Sequence, residues 1–334
     1  MILNPGFPDP FGGPSSVVLP GGRVQADPNL KLPYENQLSV GVERPLSKSL
    51  TVQASYMMIR GFNQLRARNV NAPDASGLRP EPTVGTVTQI ESTGRSHIDR
   101  LNLNANYRIR QKRLLFSANY TLSSVKNDGD GALQLPANSL DPNSEWGPAP
   151  QDVRHRLNGM MNMTLPAAIR ANVTAIASSA APYTITTGHD DNRDGVSNDR
   201  PAGVGRNGAR GGANVVMNIR LTRGFAFGGA GQGQGGGRAG FDGGGGPIEI
   251  AGGPGGGTAG QVGPVQSQGA GAGPGLGGGQ ANQRFNVEFY AQASNVLNHT
   301  NFLNFSGNLQ SPFFGRPTSA AAARRVEVGM QFRF

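Results

Sequence analysis

The chain has 334 residues, 36% of them hydrophobic and 15% charged, with 51 Gly, 24 Pro, no Cys and a formal charge of +9. The apolar fraction falls below the roughly 45–50% of soluble globular chains, so one large oily core is not expected. The lack of Cys excludes a disulfide scaffold, Cys-ligated metal and a thiol nucleophile, and the positive charge lies in 26 scattered Arg and 4 Lys with no basic run, which excludes a nucleic-acid partner.

No apolar stretch reaches the ~18 residues of a membrane helix, and Met1 to Gly13 has neither a basic n-region nor an apolar h-region. Segments of about ten residues instead alternate apolar and polar with period two, as strands with two unlike faces do. In chain order, Leu38, Val40 and Val42 lead through a short turn at 45–49 to Leu50, Val52, Ala54, Tyr56 and Met58. Leu101, Leu103, Ala105, Tyr107 and Ile109 oppose Asn102, Asn104, Asn106, Arg108 and Arg110. After Gln111 to Arg113 follow Leu114, Phe116, Ala118, Tyr120 and Leu122.

A third hairpin sets Leu157, Gly159, Met161, Met163 and Leu165 before Ile169, Ala171, Val173, Ala175 and Ala177. Val215, Met217, Ile219 and Leu221 make the next strand, Phe285, Val287, Phe289, Ala291 and Ala293 the eighth. The ninth carries Val326, Val328, Met330, Phe332 and Phe334. Connections alternate between short turns and long segments at 61–97, 124–152, 180–212 and 298–324. That asymmetry is expected of an antiparallel outer-membrane β-barrel, with short periplasmic turns and long extracellular loops. Loops of ~30 residues at every second connection are foreign to a compact soluble domain.

Glycine is concentrated: residues 221–280 hold 27 of the 51. This block has the composition of a flexible coil that cannot bury enough surface to offset its ordering entropy, and by strand parity it interrupts a periplasmic turn. The simplest reading is a tolerated low-complexity expansion, since loop closure costs grow only logarithmically with length; a tether to a periplasmic partner is the sharper alternative. Arg238 is the lone basic residue between Gly224 and Gln283, and no Gly-Lys-Ser/Thr exists, so neither an Arg-Gly RNA segment nor a phosphate loop is present.

Several segments together resemble the TonB-dependent outer-membrane receptors, and among them the Oar-like type. They are Asp27 to Pro33 with Asn36 to Glu43, Arg66 to Pro73 (RARNVNAP), Glu91 to Ser96, Ser117 to Ser124, Asp152 to Arg156 (DVRHR), Asp190 to Pro201 (DDNRDGVSNDRP) and Ala293 to Phe302 (ASNVLNHTNF). Arg325 to Phe334 resembles the C-terminal β-signal read by the barrel-assembly machinery, carried by Val326, Val328, Met330, Phe332 and Phe334.

The resemblance implies a barrel of about 22 strands around a plug, energised through TonB. Nine strands would be the C-terminal part of it, so the chain is expected to be a fragment without signal peptide, TonB box, plug or earlier strands. On that reading 1–33 is an extracellular loop remnant, 34–223 holds seven strands, 224–283 is the Gly-rich insert and 284–334 holds the last two strands. The partners implied are outer-membrane lipid, the barrel-assembly machinery, the missing strands and plug, and TonB through the missing part. The rival readings are an adhesive or structural surface barrel and a soluble secreted β protein.

Asp190, Asn192, Asp194, the Val196 carbonyl and Asn198 match positions 1, 3, 5, 7 and 9 of a calcium loop, with Gly195 at the sharp turn. Pro201 stands where the closing Glu is required, and the same Asx-rich spacing also serves a hydrogen-bonded turn. His97, His155, His189 and His299 have no metal or triad spacing, and His299 is expected to serve a bend. No Gly-x-Ser-x-Gly, His-Glu-x-x-His or paired-carboxylate pattern suggests an enzyme. Tyr34, Tyr56, Tyr120, Phe332 and Phe334 suit an interfacial girdle. Arg108, Arg110, Arg170 and Arg220 face the lumen, where pairing with acids is expected.

Overall fold

A computed structural model describes residues 21–111, 113–228 and 285–333, together with a two-residue pairing of 2–3 with 17–18. The Gly-rich insert from 229 to 284 and Phe334 lie outside the described residues. The fold is all-β. Nine antiparallel strands follow one another in a single sheet: β1 (Tyr34–Pro45), β2 (Leu50–Asn69), β3 (Val87–Ile109), β4 (Leu114–Asn127), β5 (His155–Thr164), β6 (Arg170–Ser178), β7 (Asn214–Phe227), β8 (Phe285–Ser294) and β9 (Arg325–Arg333). Each pairs with its sequence neighbour, and among the described residues β1 and β9 do not meet.

Register carries the period-two pattern across the whole sheet. Val40 pairs with Tyr56, Tyr56 with Leu101 and Leu101 with Leu122. Further on, Val173 pairs with both Met161 and Ile219, Leu221 with Ala291, and Ala291 with Val328. Because directly opposed residues share a face, all nine strands present one continuous apolar surface. It stays open: Leu103 at the centre is 41% exposed and Val328 on the edge strand 78%.

The opposite face is a polar lattice. Asn104 donates to Gln53 (3.3 Å) and accepts from Asn119 (2.5 Å), Thr121 donates to Asn102 (2.9 Å), Ser117 to Asn106 (2.8 Å) and Asn172 to Asn162 (2.6 Å). Further along, Arg170 meets Glu288 at 3.0 Å, Arg220 donates to Gln292 (3.1 Å), and Gln292 donates to Glu327 (2.6 Å). Arg170 and Arg220 thus share one acid on β8, Glu288, whereas Arg108 and Arg110 make no ion pair among the described residues. Gly329 belongs to this face: the Tyr290 ring lies over it where a Cβ would stand, and Arg220 stacks 4.6 Å above that ring.

The two ends differ. Short turns at 46–49, 110–113 and 165–169 close one end, and Phe227 pairs with Phe285 there. β7 runs on to Phe227, past the expected boundary at 223, because Phe225 and Phe227 continue the alternation after Arg223. Phe227, Phe285 and Phe332 stack within 5.8–6.5 Å of one another at this end.

At the other end β2 and β3 are 20 and 23 residues long, well beyond the ~9–11 that cross a bilayer, and the expected 61–97 loop shrinks to 70–86. Alternation fails above Met58 because two bulges, between Gly61 and Gln64 and between Gln64 and Arg66, shift the register, with Asn63 left-handed at φ 53°. The long loops also contain small hairpins that have no apolar period: Pro182–Tyr183 with Ala209–Arg210, and Phe302–Phe305 with Pro317–Ala320. Arg23–Ala26 lies parallel to Val87–Ile90 at this same end.

Candidate functional site: the long-loop assembly

The most deeply buried polar residues of the described chain gather at the long-loop end. Arg66 and Arg68 on β2 converge on Glu91 of β3, at 3.2 and 3.1 Å. Asp128, just past β4, accepts from the Arg95 backbone N–H (2.6 Å) and Nε (3.2 Å) and lies 3.6 Å from Arg66. In the same loop, Glu145 receives Arg200 at 2.8 Å, while Arg206 bonds Asp130 (2.5 Å), the Glu145 carbonyl (2.9 Å) and Asn127. Asp152, 1% exposed, accepts from the Val125 N–H (2.7 Å) and from Arg210.

Asparagines stitch backbone to backbone. Asn69 accepts from the Asn71 and Val87 N–H groups (3.0 and 3.1 Å) and donates to the Asp194 carbonyl (3.1 Å), joining the first and third long loops. Asn71 donates to the carbonyls of Glu81, Val84 and Gly85. Asn301 bonds both the N–H (2.7 Å) and C=O (2.9 Å) of Val215, replacing a strand partner at the top of β7. Unpaired backbone groups at a buried strand end cost about as much as a lost hydrogen bond, and these side chains remove that cost.

The Asp190 to Asn198 segment folds on itself. Asp190 accepts from the N–H groups of Asp194 (3.0 Å) and Gly195 (2.9 Å), Asn192 from Asp194 (2.9 Å), and Asp194 from the Val196 N–H (2.9 Å). Asn198 donates to the Leu135 carbonyl (3.0 Å) and Asn192 to that of Ala137 (2.7 Å), so the segment docks on the second loop. These are the bonds of consecutive Asx turns. Among the described residues no group of three or more His, Cys, Asp or Glu side chains is disposed to hold a metal ion. Burial raises the carboxyls of Asp194 and Asp199 above the ordinary range; N–H donors and the neighbouring carboxylates act against and with it respectively.

The histidines are dispersed. His155 meets the Tyr120 hydroxyl at 2.8 Å, His97 lies against Trp146, and His189 sits in the third loop beside Thr187. His299 is held in a bend, its N–H donating to Asn295 (3.2 Å) and Nδ1 3.0 Å from Asn301. Of the expected girdle residues, Tyr34 stacks on Phe62 (5.2 Å) and Tyr56 donates to Asp99 (2.7 Å). On β9, Val326, Val328, Met330 and Phe332 pair with Ala293, Ala291, Phe289 and Val287 on the apolar face. The cross-loop contacts of Arg206, Arg210 and Asn69 carry no local sequence period, and only their polar type in segments of low hydrophobicity hints at them.

A family model described as an outer membrane beta barrel domain matches residues 2–327. The chain belongs to this family. As an outer membrane β-barrel domain it turns its apolar face to lipid and its polar lattice inward, the inverse of a soluble sheet protein. Its fold is similar to that of the outer membrane transporter YddB from Escherichia coli, with a TM-score of 0.52, 13% identity and coverage of 94% of this chain and 34% of that one. The FrpB iron transporter from Neisseria meningitidis aligns with a TM-score of 0.46 and 11% identity, over 92% of this chain and 32% of its own. The chain therefore spans about a third of the length of these structures. No curated protein matches its sequence.

Proposed function

We propose that the chain forms the C-terminal arc of a TonB-dependent transporter barrel of the Oar-like type, whose whole protein takes up a ligand across the outer membrane. The observation that carries this reading is the open sheet: nine in-register strands with a continuous lipid-type face and, among the described residues, two edges that do not meet. In hydrocarbon every unpaired edge group costs several kcal/mol, so the arc spans a membrane only when other strands close it. The likeness to a transporter about three times as long supports the same view. The long loops then face outward and the Phe227, Phe285 and Phe332 cluster marks the periplasmic interface.

Within this reading β9 is the strand engaged by the barrel-assembly machinery, and the plug and TonB contacts lie in the completing part. The loops act as a rigid rim that holds the mouth of the barrel. Semi-native electrophoresis tests the proposal: the purified 334-residue chain is expected to migrate identically heated and unheated. A compact, heat-modifiable form of the chain alone overturns the arc.

A further inference from the structure

Above the lipid band, the outward face of β3 and β4 changes character. Asp99 follows Leu101 on that face and is bound by Arg60 (2.8 Å) and the Tyr56 hydroxyl (2.7 Å), which ends the apolar surface. Beyond it lies a pocket of about 540 Å³ lined by Arg95, His97, Asp99, Ser124, Lys126, Asn143 and Trp146. His97 pairs with Lys126 and Asp99 with Ser124, so these side chains share the outward face. Trp146 joins them from the second long loop, because Gly147–Pro148 pairs with the top of β4.

The pocket is arranged for an anion. Arg95 stacks on Trp146 at 5.2 Å and gives only its Nε and backbone N–H to Asp128. The His97 ring meets the Trp146 ring edge-on at 4.8 Å. Among the described residues the Lys126 ammonium, the His97 ring nitrogens and the Trp146 indole N–H have no hydrogen-bond partner, while the acid inside, Asp99, is already held by Arg60. Three donors without partners and an exposed guanidinium edge face one space. Its height fixes the ligand class: His97 is two residues above Asp99, ~7 Å along a strand, within the polar layer that flanks the hydrocarbon.

We propose that this outward pocket binds the phosphate of an outer-leaflet lipid headgroup, with Lys126, Arg95 and His97 on the phosphate oxygens and Trp146 at the sugar or acyl boundary. The inference rests on the apolar face meeting lipid and on the long loops facing outward. Phosphate geometry suits the combination: Arg offers planar paired donors and Lys a point charge, and an indole sits readily at a membrane interface.

Trp146 is the single tryptophan of the chain, so its fluorescence reads the site directly. The chain within its assembled barrel, extracted from outer membranes in mild detergent, is titrated with phosphorylated lipid A, with its dephosphorylated form, and with inorganic phosphate, and the signal of the Trp146→Phe barrel is subtracted as background. The expected result is a saturable spectral change with the phosphorylated lipid alone, weakened about tenfold or more by Lys126→Gln and restored by Lys126→Arg. The Lys126 ammonium has no hydrogen-bond partner among the described residues, and the backbone pairing of Lys126 with His97 and Pro148 does not depend on its side chain, so its replacement leaves the fold intact, and Arg95→Lys provides a second variant. An equal response to the dephosphorylated lipid, to inorganic phosphate alone, or in Lys126→Gln overturns the proposal. Leu103→Trp in a Trp146→Phe background tests the membrane reading separately: quenching by brominated acyl chains upholds it even where the headgroup proposal fails, and no quenching removes the basis of both.

Discussion

The wall and the long-loop assembly are built from opposite materials. In the wall, apolar side chains remain open on one face and the strands are held by backbone ladders and an amide lattice on the other. In the loops, charged and amide side chains are buried and hydrogen-bonded to backbone, as Asp152, Asn69 and Arg206 are, with little oil beyond residues such as Val87, Val125 and Ala149. The wall therefore needs an apolar solvent to be stable, whereas the loop assembly pairs most of its buried polar groups internally, the Asn198 and Asn214 Oδ1 atoms excepted. A change of polarity should have opposite consequences in the two regions.

The largest effect is expected in the loops. Asp152→Ala leaves Arg210 and the Val125 N–H without their shared acceptor, and removing one partner of a buried pair costs about 3–5 kcal/mol. Thermal or denaturant unfolding of the assembled barrel, with protease resistance of the loops, measures it; a loss below ~1 kcal/mol, the range of an exposed pair, would show the assembly to be surface decoration.

Next comes the wall. Leu103→Arg should cost ~2–4 kcal/mol in a bilayer, as a charge at midplane depth does, although Leu103 is 41% exposed and the same change on a soluble surface is nearly silent. The comparison variant is Asn106→Asp, on the polar face and one residue below Ala105, which should change refolding stability in lipid by far less. Equal costs for both would erase the distinction between the faces.

The smallest effect is on pH. Asp194 and Asp199 have raised carboxyl pKa values, chiefly through burial. A folded value above the unfolded one means that the folded loop holds its protons more tightly, so its stability is greatest below the ordinary carboxylate range and falls as pH rises through the raised values. Protection of the Asp191 and Val196 amides, corrected for intrinsic exchange, should decrease over that interval. Asp194→Asn should flatten the dependence, and a protection that rises with pH would reverse the assignment of burial as the main cause.

Much of the wall was legible in the sequence because its rule is local. Alternation from Leu101 to Ile109 fixes which side each residue takes, and pairing then places Leu101 beside both Tyr56 and Leu122. The loops were legible only as motifs. RARNVNAP and DDNRDGVSNDRP carried the family resemblance, yet the bond from Asn69 to Asp194 joins residues 125 apart, and nothing local announces it. The extension of β2 and β3 was hidden for a related reason: above Met58 there is no lipid to enforce alternation, and the bulges around Gln64 break what remains. In the Asp190 loop, alternate oxygens whose spacing suits a cation also suit the N–H groups of successive Asx turns: those of Asp190, Asn192 and Asp194 accept from the backbone, while the Asn198 Oδ1 has no partner among the described residues.

The central claim is that alternate residues of each strand face lipid. A nitroxide scan along Leu101 to Tyr107 of the chain assembled in outer-membrane bilayers tests it most directly, by comparing collision with oxygen, which partitions into hydrocarbon, and with a water-soluble nickel chelate. The account predicts strict period two, with Leu101, Leu103, Ala105 and Tyr107 reached by oxygen and Asn102, Asn104 and Asn106 by the chelate. Odd positions shielded from both probes, as in the core of a soluble sandwich, would contradict it.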